Sequence, residues 1–210
     1  MTIDPVPSSH PVPLVAVAGY AGSGKSEAGK LLAQATGWTL LDKDTMTRPL
    51  TESLLSALGG DPDDRQTALY ADRVRPVEYD CLLKSCWENV ECGVPVIAVA
   101  PFIKEVDDPQ WDTRIRRRCA RLGAGFELLW VESDAPSMRE RLTARNAGRD
   151  TWKLANWGRY LATTAVDRVP VGDFHRIDNR LTAGTPLAEQ VEAVAMGLSA
   201  RYDRYVGSRV

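Results

Sequence analysis

Gly19-Tyr20-Ala21-Gly22-Ser23-Gly24-Lys25-Ser26 matches the pattern G-x-x-x-x-G-K-S without a gap. An apolar run at residues 14–18 precedes it, and a helical pattern from Lys25 to about residue 35 follows. Each position has a chemical reason. Glycines at 19, 22 and 24 let the backbone turn tightly, so that successive N–H groups face a phosphate with no side chain between. The helix that follows adds the positive end of its dipole. Lys25 brings a mobile cation to the β- and γ-phosphates, and Ser26 brings a hydroxyl ligand for Mg2+. Residues 19–26 are therefore expected to bind a nucleoside triphosphate such as ATP together with Mg2+. A glycine-rich turn carrying a chance lysine would lack this strand–loop–helix context.

Outward from the loop, short apolar runs alternate with helical patterns. The runs lie at residues 14–18, 38–41, 95–100 and 126–131, with a weaker one at 175–177. Most are rich in Val, Ile or Leu without clean alternation, as expected of strands buried on both faces. Helical patterns cover residues 51–58, 76–92, 107–122, 135–144 and 186–202. Gly59-Gly60 stops the first of these, Pro76 starts the second, and Ser133-Asp134 offer caps to the fourth. The expected fold class is α/β: a three-layer αβα P-loop NTPase fold with a parallel sheet. Residues 13–210 are expected to form a single domain. A flexible lead-in at 1–12, holding His10 and several prolines, precedes it.

Of the 210 residues, 44% are hydrophobic and 26% charged, a globular composition. The formal net charge of −2 gives no general attraction for polyanions and argues against a nucleic-acid partner. Cys81, Cys86, Cys92 and Cys119 form no Cys-x-x-Cys pair, and reduced thiols in a cytoplasmic protein are expected. No apolar run is long enough for a membrane span, so no membrane partner is expected.

The second apolar run ends in Leu41-Asp42-Lys43-Asp44. Ligands of parallel α/β sheets bind at the carboxyl ends of the strands, which places both aspartates near the loop. Two residues apart in an extended segment, their side chains would share one side. One then suits the magnesium shell, and the other suits a hydroxyl about to lose its proton. Helix-capping aspartates in a strand-end turn are the plainer alternative. Arg48 stands where a guanidinium would hold an anionic part of an acceptor or a transferring phosphate.

The loop, together with Leu40-Leu41-Asp42-Lys43-Asp44-Thr45-Met46-Thr47-Arg48-Pro49-Leu50, resembles the small P-loop kinases of the zeta-toxin, chloramphenicol phosphotransferase and polynucleotide kinase type. Shikimate and gluconate kinases look like more distant relatives. The chain is also similar to actinobacterial "AAA family ATPase" proteins of the small-kinase group. The resemblance implies Asp44 as base, Asp42 as a magnesium-shell residue beside Ser26, and Arg48 as an acceptor or phosphate contact. It implies an arginine lid in which Arg145 and Arg149 close over the phosphates, with Arg139 and Arg141 left on a solvated face. It implies a helical acceptor insert at residues 61–78, where Arg73 and Arg75 either grip an acceptor anion or decorate a surface helix. Asp178 either flanks the nucleotide base or forms a turn with Asn179. The chain departs from many P-loop proteins after its third strand, where Ala100-Pro101-Phe102 replaces the usual magnesium-shell aspartate. Phe102 either walls the acceptor pocket or ends the strand.

The expected activity is ATP-dependent transfer of a phosphoryl group to a hydroxyl of a small molecule: a sugar, nucleoside or natural product. A nucleic-acid 5′-hydroxyl kinase and a non-kinase NTP-binding regulator are the alternatives.

Overall fold

The computed structural model describes residues 11–202, so His10 and most of the expected lead-in lie outside the described residues. Five strands form one sheet in the order β2-β3-β1-β4-β5, every neighbour parallel. They are β1 (Pro13–Ala18), β2 (Thr39–Asp42), β3 (Val96–Val99), β4 (Gly125–Glu132) and β5 (His175–Asp178). The expected three-layer α/β architecture is what the chain adopts.

Alternate residues of the strands feed two cores. Leu14, Ala16, Ala98, Leu128 and Trp130 face one side, against α3 (Arg75–Glu91) and α4 (Pro109–Arg121). Val15, Val17, Ile97, Val99, Leu129 and Ile177 face the other, against α1 (Lys25–Thr36) and α8 (Leu187–Tyr202). Burying a side chain of this size contributes roughly 1.5–3 kcal/mol. Two such faces explain why the strands read as continuous apolar runs.

Two helices depart from expectation. The helix expected at residues 51–58 begins a full two turns earlier, as α2 (Lys43–Ala57). Asp42 caps it by accepting from the backbone N–H groups of Asp44 and Thr45, at 2.9 and 3.3 Å. With that cap the helix starts at the strand end and tolerates Pro49 in its interior, at the cost of one backbone hydrogen bond. A π-helical turn, Leu69–Val74, then leads into α3. Pro76 has no N–H to continue an α-helical ladder backward, and the wider turn before it takes up the mismatch. The remaining helices are α5 (Ala135–Arg145), α6 (Thr151–Ala155) and α7 (Trp157–Thr163), with a 3-10 turn Gly148–Asp150 before α6.

Candidate active site

The glycine loop joins β1 to α1. Gly22 (φ 83°) and Gly24 (φ 94°) occupy backbone conformations that side chains disfavour. At Gly22 an added Cβ would also lie 2.7 Å from the Met138 carbonyl oxygen. The loop is braced on three sides. Gly19 N–H donates to the Pro101 carbonyl at 3.2 Å, Asn179 Nδ2 to the Ser23 carbonyl at 2.7 Å, and Arg141 Nη1 to the Gly22 carbonyl at 3.2 Å. Arg141 is thus a loop brace rather than the solvated residue expected, because it stands on the face of α5 that packs on the loop. Asn179, not Asp178, reaches the loop: the Asp178 carboxylate is taken up by Arg180, which donates from Nε at 2.9 Å. Among the described residues, the Ser23 hydroxyl is the buried side-chain group with no hydrogen-bond partner.

Ser26 Oγ donates to Asp42 Oδ2 at 2.8 Å. The other oxygen of Asp42 is the α2 cap, so the carboxylate that meets Ser26 is also the helix cap that the sequence offered as the plainer alternative. The expected extended Asp42/Asp44 pair is replaced by a cap and a first-turn residue. Among the described residues no three acidic, His or Cys side chains converge to hold a metal ion. A hydroxyl and one adjacent carboxylate fit Mg2+ in a site where phosphates and water complete the shell.

Asp44 lines a cavity of about 390 Å³ together with Tyr20, Ala21, Lys25, Arg75, Arg145 and Arg149. Asp44 Oδ1 lies 2.9 Å from Lys43 Nζ, and Oδ2 lies 3.4 Å from Arg149. Burial opposes its charge, but Lys43, Lys25 and Arg149 overcome that and hold its carboxyl well below the usual carboxylate range. Burial pushes the Lys25 ammonium down, against the opposing pull of Asp44. Lys43 is itself fixed from below by Glu78 at 3.1 Å. Glu78, 3% exposed, also accepts from Thr47, Thr51 and Tyr70 at 3.0, 3.0 and 2.7 Å.

The two arginines expected in a lid, Arg145 and Arg149, are paired with carboxylates. Arg145 Nε donates to Asp150 at 2.8 Å, and Lys153 holds the other oxygen of Asp150 at 3.2 Å. Arg145 also lines a smaller hollow beside the loop with Gly22, Gly24, Lys25, Ser26 and Arg141. A larger cavity of about 570 Å³, walled by Leu69 and Trp152, adjoins the first and shares Arg65, Gln66 and Arg149 with it. It contains neither Lys25 nor Asp44, so the smaller cavity is the better candidate for chemistry.

Three expected acceptor contacts do not line that cavity. Arg48 lies one residue off the buried stripe Lys43, Thr47, Thr51 and Leu55; it is half exposed and 3.9 Å from Glu52. Arg73 is exposed because the π-helical turn points Tyr70 and Val74 inward. Phe102 adopts a positive φ of 52° that sends its ring into the core, between Tyr79 and Trp111. Sequence reasoning passed over Lys43, Glu78, Tyr70, Tyr79, Asp150 and Lys153. Only Asp150 and Lys153, spaced i,i+3, carried a local signal.

The sequence model of the AAA domain family matches residues 14–166. No curated protein matches the chain significantly. Solved structures do. A Chloroflexus aurantiacus protein assigned as a kinase superposes with a TM-score of 0.62 at 18% identity, covering 90% of this chain and 98% of its own. A sugar kinase from Janibacter sp. HTCC2649 gives 0.58 at 20% identity, covering 93% and 98%. A gluconokinase from Sinorhizobium meliloti 1021 gives 0.56 at 19% identity, covering 95% and 99%. At these identities the likeness is one of fold.

Proposed function

The chain belongs to the AAA domain family, and we propose that it transfers the γ-phosphoryl group of ATP to a hydroxyl of a small molecule. The observation that carries this reading is the shared wall of one cavity: Lys25 of the glycine loop, the Asp44 carboxylate and both lid arginines border the same space. A binding regulator needs the lysine but has no use for a carboxylate lining the same pocket beside it. The strand end Leu41-Asp42-Lys43-Asp44 supports kinship with the zeta-toxin, chloramphenicol phosphotransferase and polynucleotide kinase group within this class.

Lys25 holds the phosphates, and Arg145 and Arg149 leave their carboxylates to neutralise charge as the phosphoryl group moves. Ser26 and Asp42 would hold Mg2+, which neutralises phosphate oxygens when bound. Asp44 accepts the hydrogen bond of the acceptor hydroxyl and points its oxygen at phosphorus. The hydroxyl oxygen forms the new P–O bond, the bond to the β-phosphate oxygen breaks, and ADP leaves with that electron pair. The proton passes to Asp44 late, since a carboxylate held so acidic is a better orienter than base and the transition state is loose. The test is a screen of alcohols with Mg2+ and ATP, read by mass spectrometry. A gain of one phosphoryl group on an alcohol is the expected result. ATP hydrolysis that no alcohol stimulates would favour the regulator.

A further inference from the structure

Resting on the kinase reading, we propose that the acceptor is an anion, bearing a carboxylate or a phosphate monoester, and that Arg65 and Arg75 clamp that group. The two guanidinium groups are built alike. Arg65 lies over the Tyr70 ring at 5.1 Å, and Arg75 over the Tyr79 ring at 4.1 Å, and all four side chains line the Asp44 cavity. Each is anchored from behind through one nitrogen of its fork. Arg65 Nη1 donates to the carbonyls of Pro62 and Asp64 at 3.0 and 2.6 Å. Arg75 Nη2 donates to both oxygens of Glu105 at 2.9 Å. The tyrosine rings supply platforms, and the Tyr79 hydroxyl also interacts with the Arg75 guanidinium. Tyr70 donates to Glu78 at 2.7 Å, and Tyr79 accepts from the Phe102 N–H at 3.1 Å. Stacking and rear anchoring fix the plane of a guanidinium and lower the entropy lost when it grips an oxyanion.

Charge points the same way. The cavity wall carries eight lysines and arginines against two aspartates, Asp44 and Asp150. Glu78 and Glu105 stand behind it and compensate Lys43 and Arg75. Nucleotide phosphates would take Lys25 and the lid arginines. No carboxylate lies within 4 Å of Arg65 among the described residues, although its charge helps lower the neighbouring Asp64 carboxyl, and within the wall of the Asp44 cavity the insert end keeps a positive surplus. A neutral polyol would leave that surplus unanswered, whereas an oxyanion answers it in a half-buried place where charge-assisted bonds are strong.

The experiment is calorimetric titration of the full chain saturated with Mg2+ and AMPPNP, so that the glycine loop is already filled. Inorganic phosphate, D-glycerate and glycerol are added separately. Saturable binding of phosphate or of glycerate, and none of glycerol, is the expected result, and the stronger of the two anions identifies the acceptor group. Arg65→Gln and Arg75→Gln should each weaken that binding by about tenfold or more while AMPPNP affinity holds. Glycerol binding as well as glycerate, an absence of anion binding, or anion affinity unchanged in both variants would overturn the clamp. If AMPPNP itself fails to bind, the kinase reading falls. The same titration on nucleotide-free Lys25→Ala protein then still reads the clamp, because that variant lacks the competing phosphate lysine.

Discussion

Asp44 and Asp42 stand two residues apart and do different work. Asp44 faces the cavity between Lys43 and Arg149, whereas Asp42 is divided between Ser26 and the first N–H groups of α2. Asp44→Asn keeps the shape of the side chain and removes its charge. ATP binding should survive, and transfer to the acceptor should fall by about a hundredfold or more. Near-normal transfer would place the acceptor hydroxyl elsewhere. Asp42→Ala should cost stability first, by about 1 kcal/mol for a lost helix cap. Its transfer defect should shrink as Mg2+ is raised, which that of Asp44→Asn should not. A magnesium titration of the two variants separates them. The difference is not legible in Asp-x-Asp spacing. It follows from where α2 begins, and the cap that sets this start is a three-dimensional fact about Asp42.

At the scale of elements, the connection between α5 and α6, proposed above as the lid, is held by ion pairs of unequal burial. Asp150 is fully buried and shared by Arg145 and Lys153, while the Arg149–Asp44 pair is longer and its carboxylate, unlike that of Asp150, is partly exposed. Arg149→Ala should therefore lower kcat more than it raises KM for ATP, with little change in Tm. Arg145→Ala should lower both kcat and Tm, because it strips a buried carboxylate of one partner. Equal melting temperatures for the two variants would contradict this division. A second tie joins β4, β5 and α8 at the opposite end of the sheet. Glu127 lies 3.0 Å from His175 Nε2, 2.8 Å from the Tyr202 hydroxyl and 2.5 Å from Arg201. Burial opposes the charge of Glu127, but these partners hold its carboxyl below its ordinary value of 4.5. A depressed acid stabilises the fold above its unfolded pKa and loses that contribution as pH falls through the folded one. Glu127→Gln should thus lower Tm at neutral pH, with the deficit narrowing below about pH 4.5. A deficit of the same size at every pH would show that the charge contributes nothing. Strands and most helices are legible in the sequence because burial on two faces leaves a local signature. The cavity walls are not, since Lys43–Glu78 and Arg75–Glu105 meet only through the packing of α2, α3 and the segment after β3.

Over the whole molecule, the parallel sheet collects the chemistry at one edge. The glycine loop follows β1, Asp42 ends β2, Pro101 follows β3 and braces the loop, and the lid follows β4. The carboxyl ends of the strands are where such sheets bind ligands, and the motif at residues 19–26 is local enough to be read without a structure. The acceptor contacts Arg48, Arg73 and Phe102 mislead because their direction depends on helix phase and on one positive φ, neither of which spacing reveals. The proposed chemistry requires the loop to hold a nucleoside triphosphate through Lys25. Calorimetric titration of Mg2+ and AMPPNP into the wild-type chain and into Lys25→Ala measures this. Saturation at one site per chain, weakened by about tenfold or more in the variant, is the expected result. Absence of binding to the wild-type chain, or equal affinity in both, would contradict it.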